Sequence, residues 1–262
     1  MSRQKRLGAY TTEKVLFDNQ KTWDIVADLF FEASALPVWG PFRVGDELNL
    51  IPQITEKIFL EVACGSGRSI NYLVRHGAKA VYGIDISETQ LTEAKKYNKE
   101  AVETGLVKLF QSPMEQKIEI PPVDVVFSVY GIGWTPEPEK TLANIYSYLV
   151  PGGLFIWSWD HAIFSDVVYK NDAFVVEHSY HEETPVVSEN WKDREGTVAH
   201  ITYRKTSTWF QLLIDAGFEV IGYHEPAPKN LEWGSSDPKK YYSIEKAQKV
   251  PATFIFVCRK RM

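Results

Sequence analysis

The pattern of apolar residues changes at about residue 57. Before that point, apolar side chains recur at helical spacing within residues 21–36, at Trp23, Val26, Leu29, Phe30 and Ala33. This spacing predicts an amphipathic helix that ends before Pro37. Beyond residue 57, short and nearly continuous apolar runs alternate with helical patterns, as expected for strands that are covered on both faces.

The alternation defines the elements of an α/β domain. The predicted strands are 57–62, 79–85, 107–111, 123–129, 154–159, 218–224 and 252–258. The predicted helices are 69–76, 87–105, 141–150 and one that begins at Thr206. Because such alternation produces right-handed parallel crossovers, we expect a doubly wound sheet. No clear helix separates the last two strands, which leaves them open to antiparallel pairing.

Two segments stand apart from this alternation. Residues 1–50 precede it and are predicted to form an N-terminal helical cap on the domain at 51–262. Residues 162–202 interrupt it with aromatic and β-forming residues on both sides of a charged turn, which predicts an inserted pair of strands. The insert is long enough to fold over the edge of the sheet where ligands bind, so we expect it to form a substrate lid.

Composition excludes several broad classes of protein. The chain has 262 residues, of which 44% are hydrophobic and 24% are charged, as in ordinary globular proteins. Its net charge of −5 provides no attractive field for nucleic acid. The apolar runs fall far short of the roughly 20 residues that cross a bilayer, and no secretory signal is visible. We expect a cytoplasmic protein with neither membrane insertion nor a nucleic-acid partner; the oligomeric state is not predicted.

The strongest local motif lies between the first strand and the following helix. Residues 61–68 read EVACGSGR, in which Gly65 and Gly67 allow the backbone to approach a ligand closely. Asp85 ends the second strand, where a carboxylate is placed to accept hydrogen bonds from a ribose diol. Ile70 occupies the third glycine position of a dinucleotide motif, and a bulky branched residue there disfavours a dinucleotide site.

These residues resemble the class I S-adenosylmethionine-dependent methyltransferases. LEVACGSGRS is similar to the first motif of that family, YGIDIS to the motif that follows, VDVVFSVYGIGW to its fourth strand and LVPGGLFIWSWDH to its fifth. ITYRKTSTWFQLLIDAGFEV resembles the C-terminal helix and strand of small-molecule members, including quinone-biosynthesis methyltransferases. The resemblance spans about 57–258. It implies a three-layer α/β fold with a seven-stranded sheet of order 3-2-1-4-5-7-6, the last strand antiparallel.

The resemblance also implies S-adenosylmethionine as the cofactor. Gly65 and Gly67 would border its methionine part, and Glu61 would help to hold that end. Asp85 would bind the ribose hydroxyls, and Ile86 would pack on the adenine. The cofactor site implied in this way comprises Glu61, Ala63, Gly65, Ser66, Gly67, Asp85, Ile86, Pro113, Met114 and Val129.

The chain departs from the family pattern at three positions. Glu61 replaces the commoner aspartate and Ala63 the commoner glycine, and both changes are mild. After the third strand, Pro113 stands where the family usually has an aspartate that accepts from the adenine amino group. Proline offers neither that acceptor nor an amide hydrogen. The Met114 amide and the Glu115 carboxylate remain as alternative contacts to adenine.

Aromatic residues suggest the nature of the methyl acceptor. Tyr130 and Trp134 follow the fourth strand and are candidates for a dry aromatic wall, although packing under the N-terminal segment would equally explain them. Trp39 and Tyr180 are the other candidate pocket residues. This set predicts a small, aromatic or otherwise apolar acceptor, with the methylated atom left open. A non-catalytic protein that binds S-adenosylmethionine, as a sensor or assembly partner, is the alternative.

Two further chemistries are disfavoured by the same region. Nucleic-acid amino-methyltransferases carry an Asn/Asp-Pro-Pro-aromatic motif after the fourth strand, where this chain reads SVYGIGW. Catechol-type methylation uses a metal held by acids after the fourth and fifth strands. Asp160 follows the fifth strand but no acid follows the fourth, so no metal site is predicted.

His161 is the candidate general base. It follows the fifth strand at the ligand-binding edge, and an ordinary histidine titrates near neutral pH. His181 in the insert is the second candidate. The alternative is that His161 only hydrogen-bonds the neighbouring backbone and shapes the turn.

Overall fold

A computed structural model describes residues 10–32, 35–51 and 53–262 of the chain. Its strands, in chain order, are β1 (Ile58–Val62), β2 (Ala80–Asp85), β3 (Val107–Gln111), β4 (Val123–Val129), β5 (Leu149–Asp160), β6 (Val167–Lys170), β7 (Ala173–Val176), β8 (Val186–Glu189), β9 (Val198–Ile201), β10 (Phe218–His224) and β11 (Thr253–Lys260). Its α-helices are α1 (Thr12–Val26), α2 (Arg68–Arg75), α3 (Glu88–Tyr97), α4 (Lys99–Glu103), α5 (Pro138–Tyr148), α6 (Ala162–Asp166), α7 (Thr206–Asp215) and α8 (Ile244–Ala247).

The central sheet has seven strands in the order β3-β2-β1-β4-β5-β11-β10. Pairing is parallel from β3 through β5. Strand β11 runs antiparallel to both β5 and β10. The predicted strand order and the antiparallel last strand are therefore confirmed. The carboxyl ends of β1, β2, β4 and β5 meet along one edge of the sheet, where ligands bind in such folds.

Helices cover both faces of this sheet because successive strand residues point to opposite sides. One face packs against α2 and α3 through Ile70, Leu73 and Leu91. The other packs against α5 and α7, with Trp157 of β5 inside an aromatic cluster. The Trp157 ring contacts Trp209, Phe254 and Phe256 at centroid distances of 4.8–5.4 Å. The result is the three-layer arrangement that the sequence predicts.

Several predicted elements require correction in their extent. The helix expected over 87–105 is divided into α3 and α4 at Asn98, whose amide donates to the carbonyls of Gly67 and Ala94 at 3.0 Å each. The insert contains two antiparallel strand pairs, β6-β7 and β8-β9, instead of the single pair expected. Residues 225–251, predicted without a clear helix, contain the single-turn helix α8.

The N-terminal helix lies earlier than predicted, at Thr12–Val26 instead of 21–36. Thr11 caps it by accepting from the Lys14 amide at 3.3 Å. Its buried side chains are mostly polar: Asp18, Asn19, Thr22 and Val26. The spacing of apolar residues does not locate this helix, because most of its buried side chains are polar and bind the rest of the protein through hydrogen bonds. Ala33, part of the predicted apolar face, lies outside the described residues.

Polar side chains of α1 bind the backbone of β9 in the insert. The Asn19 amide donates to the His200 carbonyl at 3.1 Å and accepts from the His200 amide at 2.8 Å. The Thr22 hydroxyl makes the same two contacts with Val198, at 2.9 and 2.8 Å. The helix therefore satisfies an exposed strand edge, which would otherwise leave backbone groups unpaired. Cap and lid are joined in this way into one cover.

Among the described residues, no helix is long and apolar enough to cross a membrane.

We expect Asn19→Ala to separate the cap from the lid. The substitution leaves the buried amide and carbonyl of His200 without partners, which costs about 2–4 kcal/mol of unfolding free energy. Urea denaturation measures this loss, and hydrogen exchange at the His200 amide should accelerate. Lys21→Ala, on the exposed side of α1, is the matched control. Equal stability of the two variants would contradict this account of the cap.

Candidate functional site

A cavity of about 1560 Å³ runs along the carboxyl edge of the sheet. The turns after β1, β2 and β3 form one end, and residues after β4 and β5 form its middle. Helix α1 and the lid cover it through residues such as Trp23 and Trp191. Eleven predicted site residues line this cavity: Glu61, Ala63, Gly65, Ser66, Asp85, Ile86, Pro113, Met114, Val129, Tyr130 and Trp134. Four others, Gly67, Trp39, Tyr180 and His161, are placed outside its lining.

Asp85 holds the two turns that begin the site. Its Oδ2 accepts from the Gly65 amide at 2.8 Å, and its Oδ1 accepts from the Ser87 amide at 2.9 Å. Burial of the carboxyl raises the pKa of Asp85 to about 6, opposed by these amide hydrogen bonds. Each carboxylate oxygen can accept more than one hydrogen bond, so Asp85 keeps acceptor capacity on its cavity side.

The two glycines of the turn have different roles. Both have positive φ, +50° at Gly65 and +72° at Gly67. A Cβ on Gly65 would meet its nearest neighbour, Gln90 Oε1, at 3.7 Å, which is ordinary contact. A Cβ on Gly67 would lie 2.8 Å from Asn98 Nδ2 and 3.0 Å from Ala94 Cβ. Gly67 therefore allows α3 to approach the turn, and its place beside the ligand stays a prediction.

Glu61 brings an acidic group to the floor of the cavity. The side chain is only 4% exposed, and its Oε2 has no hydrogen-bond partner among the described residues. Burial raises the pKa of Glu61 well above its usual range, while a hydrogen bond from Ser69 opposes the shift. An unpartnered buried carboxylate oxygen is costly, and a cationic ligand group in the cavity would relieve that cost.

Glu115 is an acidic side chain two residues beyond Pro113 that lines the same cavity. The side chain is 4% exposed and lines the cavity. Its Oε1 accepts from the Thr135 hydroxyl at 2.5 Å. Burial raises the pKa of the Glu115 carboxyl, although the Thr135 hydrogen bond opposes the shift. The sequence leaves the Met114 amide and the Glu115 carboxylate as alternative contacts to adenine. Of these two groups, the Glu115 carboxylate is the hydrogen-bond acceptor, and Glu115 lines the cavity.

Aromatic side chains form the wall between the turns and the lid. Trp134 contacts Trp23, Trp159 and Trp191 at centroid distances of 5.2, 6.1 and 5.3 Å, all with rings nearly perpendicular. These residues and Tyr130 line the cavity. Such edge-to-face contacts build a rigid apolar surface against which a flat molecule can pack.

Two of the predicted pocket residues lie elsewhere. Trp39 is 2% exposed and packs edge-on against Phe127 at 6.4 Å, within the core beneath the sheet. Trp39 is therefore a core residue outside the cavity lining, and a role in substrate binding has no support in its position. Tyr180 lies in the lid but away from the cavity, where its hydroxyl accepts from the Thr206 amide at 3.4 Å.

Both ring nitrogens of His161 have protein partners, and its role as a general base stays a prediction. Its Nδ1 accepts from the Ile163 amide at 3.2 Å and so caps α6. Its Nε2 lies 2.8 Å from Glu225 Oε1. Burial lowers the pKa of His161, opposed by the Glu225 carboxylate. The alternative interpretation, a residue that shapes its own turn, fits this geometry. His181, the second candidate, is exposed on the lid.

The far end of the cavity contains polar residues that sequence reasoning missed. The sequence suggests Asp160 only as a candidate metal ligand. The tyrosines around it lie in segments that have no clear hydrophobic periodicity. The described residues contain no group of three or more His, Cys, Asp or Glu side chains arranged to hold a metal ion. The polar residues lining this end are Asp160, Tyr203, Tyr241, Tyr242 and Lys246.

The central part of the chain resembles known methyltransferases. Residues 60–157 match the profile of a family described as a methyltransferase domain. An uncharacterized protein of Haemophilus influenzae is 29% identical over 192 residues, which cover 68% of this chain and 74% of that protein. A tRNA U34 carboxymethyltransferase of Vibrio cholerae is 31% identical over 111 residues, covering 41% of this chain and 34% of that enzyme.

A solved structure shares the fold across most of the chain. The S-adenosylmethionine-dependent methyltransferase of Mesorhizobium loti superposes with a TM-score of 0.68 at 18% identity, covering 88% of this chain and all of that one. At this identity the likeness concerns the fold alone.

We expect alanine substitutions at the two glycines to have separate effects. Gly67→Ala should lower the free energy of unfolding by about 1–3 kcal/mol because its Cβ overlaps α3. Gly65→Ala should lower the free energy of unfolding by less. It should weaken ligand binding, because its methyl group enters the cavity. Thermal denaturation and calorimetric titration with S-adenosylhomocysteine measure the two effects. The assignment fails if Gly65→Ala binds normally or if Gly67→Ala is the more stable variant.

Proposed function

We propose that this chain, whose residues 60–157 match a methyltransferase-domain family, is an S-adenosylmethionine-dependent methyltransferase that methylates a small acceptor with an aromatic or otherwise apolar body. One observation carries this proposal. A single cavity joins the glycine turn to an aromatic wall and a polar far end. It therefore provides adjoining surfaces for a cofactor and for a second molecule, as methyl transfer requires.

The turns at the cofactor end have the chemistry that S-adenosylmethionine needs. When bound, this cofactor supplies a methyl group activated by a sulfonium. Asp85 would accept from the ribose hydroxyls while it continues to hold the Gly65 and Ser87 amides. The unpartnered oxygen of Glu61 would accept from the cationic methionine end. Gly65 leaves the space that a side chain would otherwise fill.

Recognition of the adenine amino group would pass to Glu115. The usual acceptor is replaced by Pro113, and the Glu115 carboxylate reaches the cavity surface two residues later. Thr135 fixes that carboxylate through its hydroxyl. Ile86 and Met114 line the same region and offer apolar surfaces for the purine faces.

The acceptor end favours a flat apolar molecule. Trp23, Trp134, Trp159 and Trp191 exclude water from this part of the cavity and hold a ring by edge contacts. Positioning of the two reactants contributes much of the rate in such a displacement. Loss of the sulfonium charge during transfer also suits a dry site.

A small acceptor is favoured over nucleic acid. One relative is named as a tRNA carboxymethyltransferase, but two features of this chain disfavour such a substrate. The net charge of −5 gives no attraction for a phosphate backbone. The cover formed by α1 and β9 also lies over the cavity, with Asn19 both lining it and binding the lid. A base attached to a folded RNA would have to displace that cover.

A turnover assay tests the proposal. The protein is incubated with methyl-labelled S-adenosylmethionine and with separate pools of phenols, aromatic amines, quinols and bulk tRNA. We expect labelled product and S-adenosylhomocysteine with one of the small-molecule pools and none with tRNA. Turnover with tRNA alone would contradict the acceptor class. Cofactor binding without turnover in any pool would favour a non-catalytic binding protein.

A further inference from the structure

The polar far end of the cavity is centred on the Asp160 carboxylate. Asp160 ends β5, is 8% exposed and lines the cavity. The Tyr242 hydroxyl donates to its Oδ1 at 2.9 Å, and the Tyr241 hydroxyl donates to its Oδ2 at 3.2 Å. Tyr130 also hydrogen-bonds this carboxyl, and its hydroxyl lies 2.5 Å from Thr253 Oγ1. The carboxylate is therefore oriented by neutral donors from three different positions in the chain.

This setting differs from that of a structural buried carboxylate. Asp18, also buried, has a protein partner on each oxygen: the Lys14 ammonium at 2.5 Å and the His200 imidazole at 2.9 Å. Lys246, whose charge acts on the Asp160 carboxyl, instead donates to the carbonyls of Phe164 and Val167 at 3.1 and 3.3 Å. Because a carboxylate has about four acceptor positions, the tyrosine hydroxyls leave capacity for a further donor from the cavity.

The aromatic wall begins next to this carboxylate. Trp159 immediately precedes Asp160 and contacts Trp134 at 6.1 Å and Tyr130 at 5.7 Å. Because Trp159 and Asp160 line the same cavity, a molecule packed on these rings shares that cavity with the carboxylate. The juxtaposition therefore selects an apolar body that carries a hydrogen-bond donor.

We propose that the methyl acceptor carries a hydroxyl or amine group that donates to Asp160, and that Asp160 takes the proton of that group during methylation. This inference rests on the proposed function. The acceptor oxygen or nitrogen forms a bond to the methyl carbon, and the carbon–sulfur bond breaks with its electron pair staying on sulfur. The acceptor proton passes to the Asp160 carboxylate, which becomes the neutral acid. The proton is later released to solvent.

The electrostatics of the cluster suit this role. Burial raises the pKa of Asp160 to about 6, opposed by the tyrosine hydrogen bonds. Asp160 is therefore mostly ionised at neutral pH and has a basicity close to the operating pH. Burial also raises the pKa of each surrounding tyrosine above its usual value, so these hydroxyls remain donors. Burial lowers the pKa of Lys246 to about 8.

Several elements contribute titratable groups near Asp160. These elements are the turn after β4, the segment after β9, the turn before α8, α8 itself and the lid. Their titratable residues are, in the same order, Tyr130, Tyr203, Tyr241 and Tyr242, Lys246, and Lys192. Between pH 5 and pH 7.5 the tyrosines stay neutral. Asp85, at the other end of the same cavity, also has a pKa of about 6, so a pH effect in this window is assigned to Asp160 only where Asp160→Asn removes it.

The test compares two probes that differ in one donor, 2-naphthol and 2-methylnaphthalene. Their dissociation constants are measured on the protein saturated with S-adenosylhomocysteine. The variants are Asp160→Asn, Tyr242→Phe and the control His161→Asn. Asparagine keeps the cap of α6 while it removes the neighbouring imidazole.

We expect wild-type protein to prefer 2-naphthol at pH 7.5, and Asp160→Asn to reduce that preference about tenfold or more. His161→Asn should retain it. In the wild type, the preference should decline as the pH falls through about 6, because protonated Asp160 is a weaker acceptor. Tyr242→Phe removes a donor to the carboxylate, so it should move this midpoint to higher pH. This variant also tests the proposal if Asp160→Asn fails to fold.

The proposal is overturned if wild-type protein shows no preference for 2-naphthol, including the case in which neither probe binds. An unchanged preference in folded Asp160→Asn, an unmoved midpoint in Tyr242→Phe, or loss of the preference in His161→Asn would also overturn it. Titration of S-adenosylhomocysteine alone is a separate measurement. Failure of that titration would contradict the proposed function instead.

Discussion

The site depends on one carboxylate that joins two turns of the backbone. Asp85 accepts from the Gly65 amide after β1 and from the Ser87 amide before α3. Parallel pairing of β1 with β2 aligns Val62 with Ile84 and so brings both turns to the same edge of the sheet. A buried carboxylate is costly, and its hydrogen bonds to amides offset that cost. The same group therefore fixes the two turns relative to each other and presents an acceptor to the cavity.

The cover of the cavity is fastened to these turns. The carbonyl of Phe31, beyond α1, accepts from the Ser66 hydroxyl at 3.0 Å and from Arg68 Nε at 2.9 Å. Asp24 of α1 accepts from the Ser87 hydroxyl at 2.6 Å. The cap thus contacts the glycine turn, the turn after β2 and the lid. These hydrogen bonds tie the cover to the same turns that line the cavity.

The fold could be predicted from the sequence, and most residues predicted for the cofactor come together at one end of the cavity, because both depend on local signals. Strand periodicity, the glycines and the spacing to Asp85 are read within short segments. The acceptor end depends on contacts between distant segments. Asp160 and Tyr242 are 82 residues apart along the chain, and no pattern in the sequence indicates that they meet. Proximity to the fifth strand favoured His161, whereas its contact with Glu225 appears only in the folded chain.

Calorimetric titration of S-adenosylmethionine into wild-type protein and Asp85→Ala tests the central claim most directly. The account predicts micromolar or tighter binding to the wild type and binding at least about tenfold weaker to the variant, since each hydrogen bond to a charged group contributes about 1.5–3 kcal/mol. Because Asp85 also supports two turns, circular dichroism must show that the variant is folded at the titration temperature. Unchanged affinity in the folded variant would contradict the assignment of this cavity as the cofactor site.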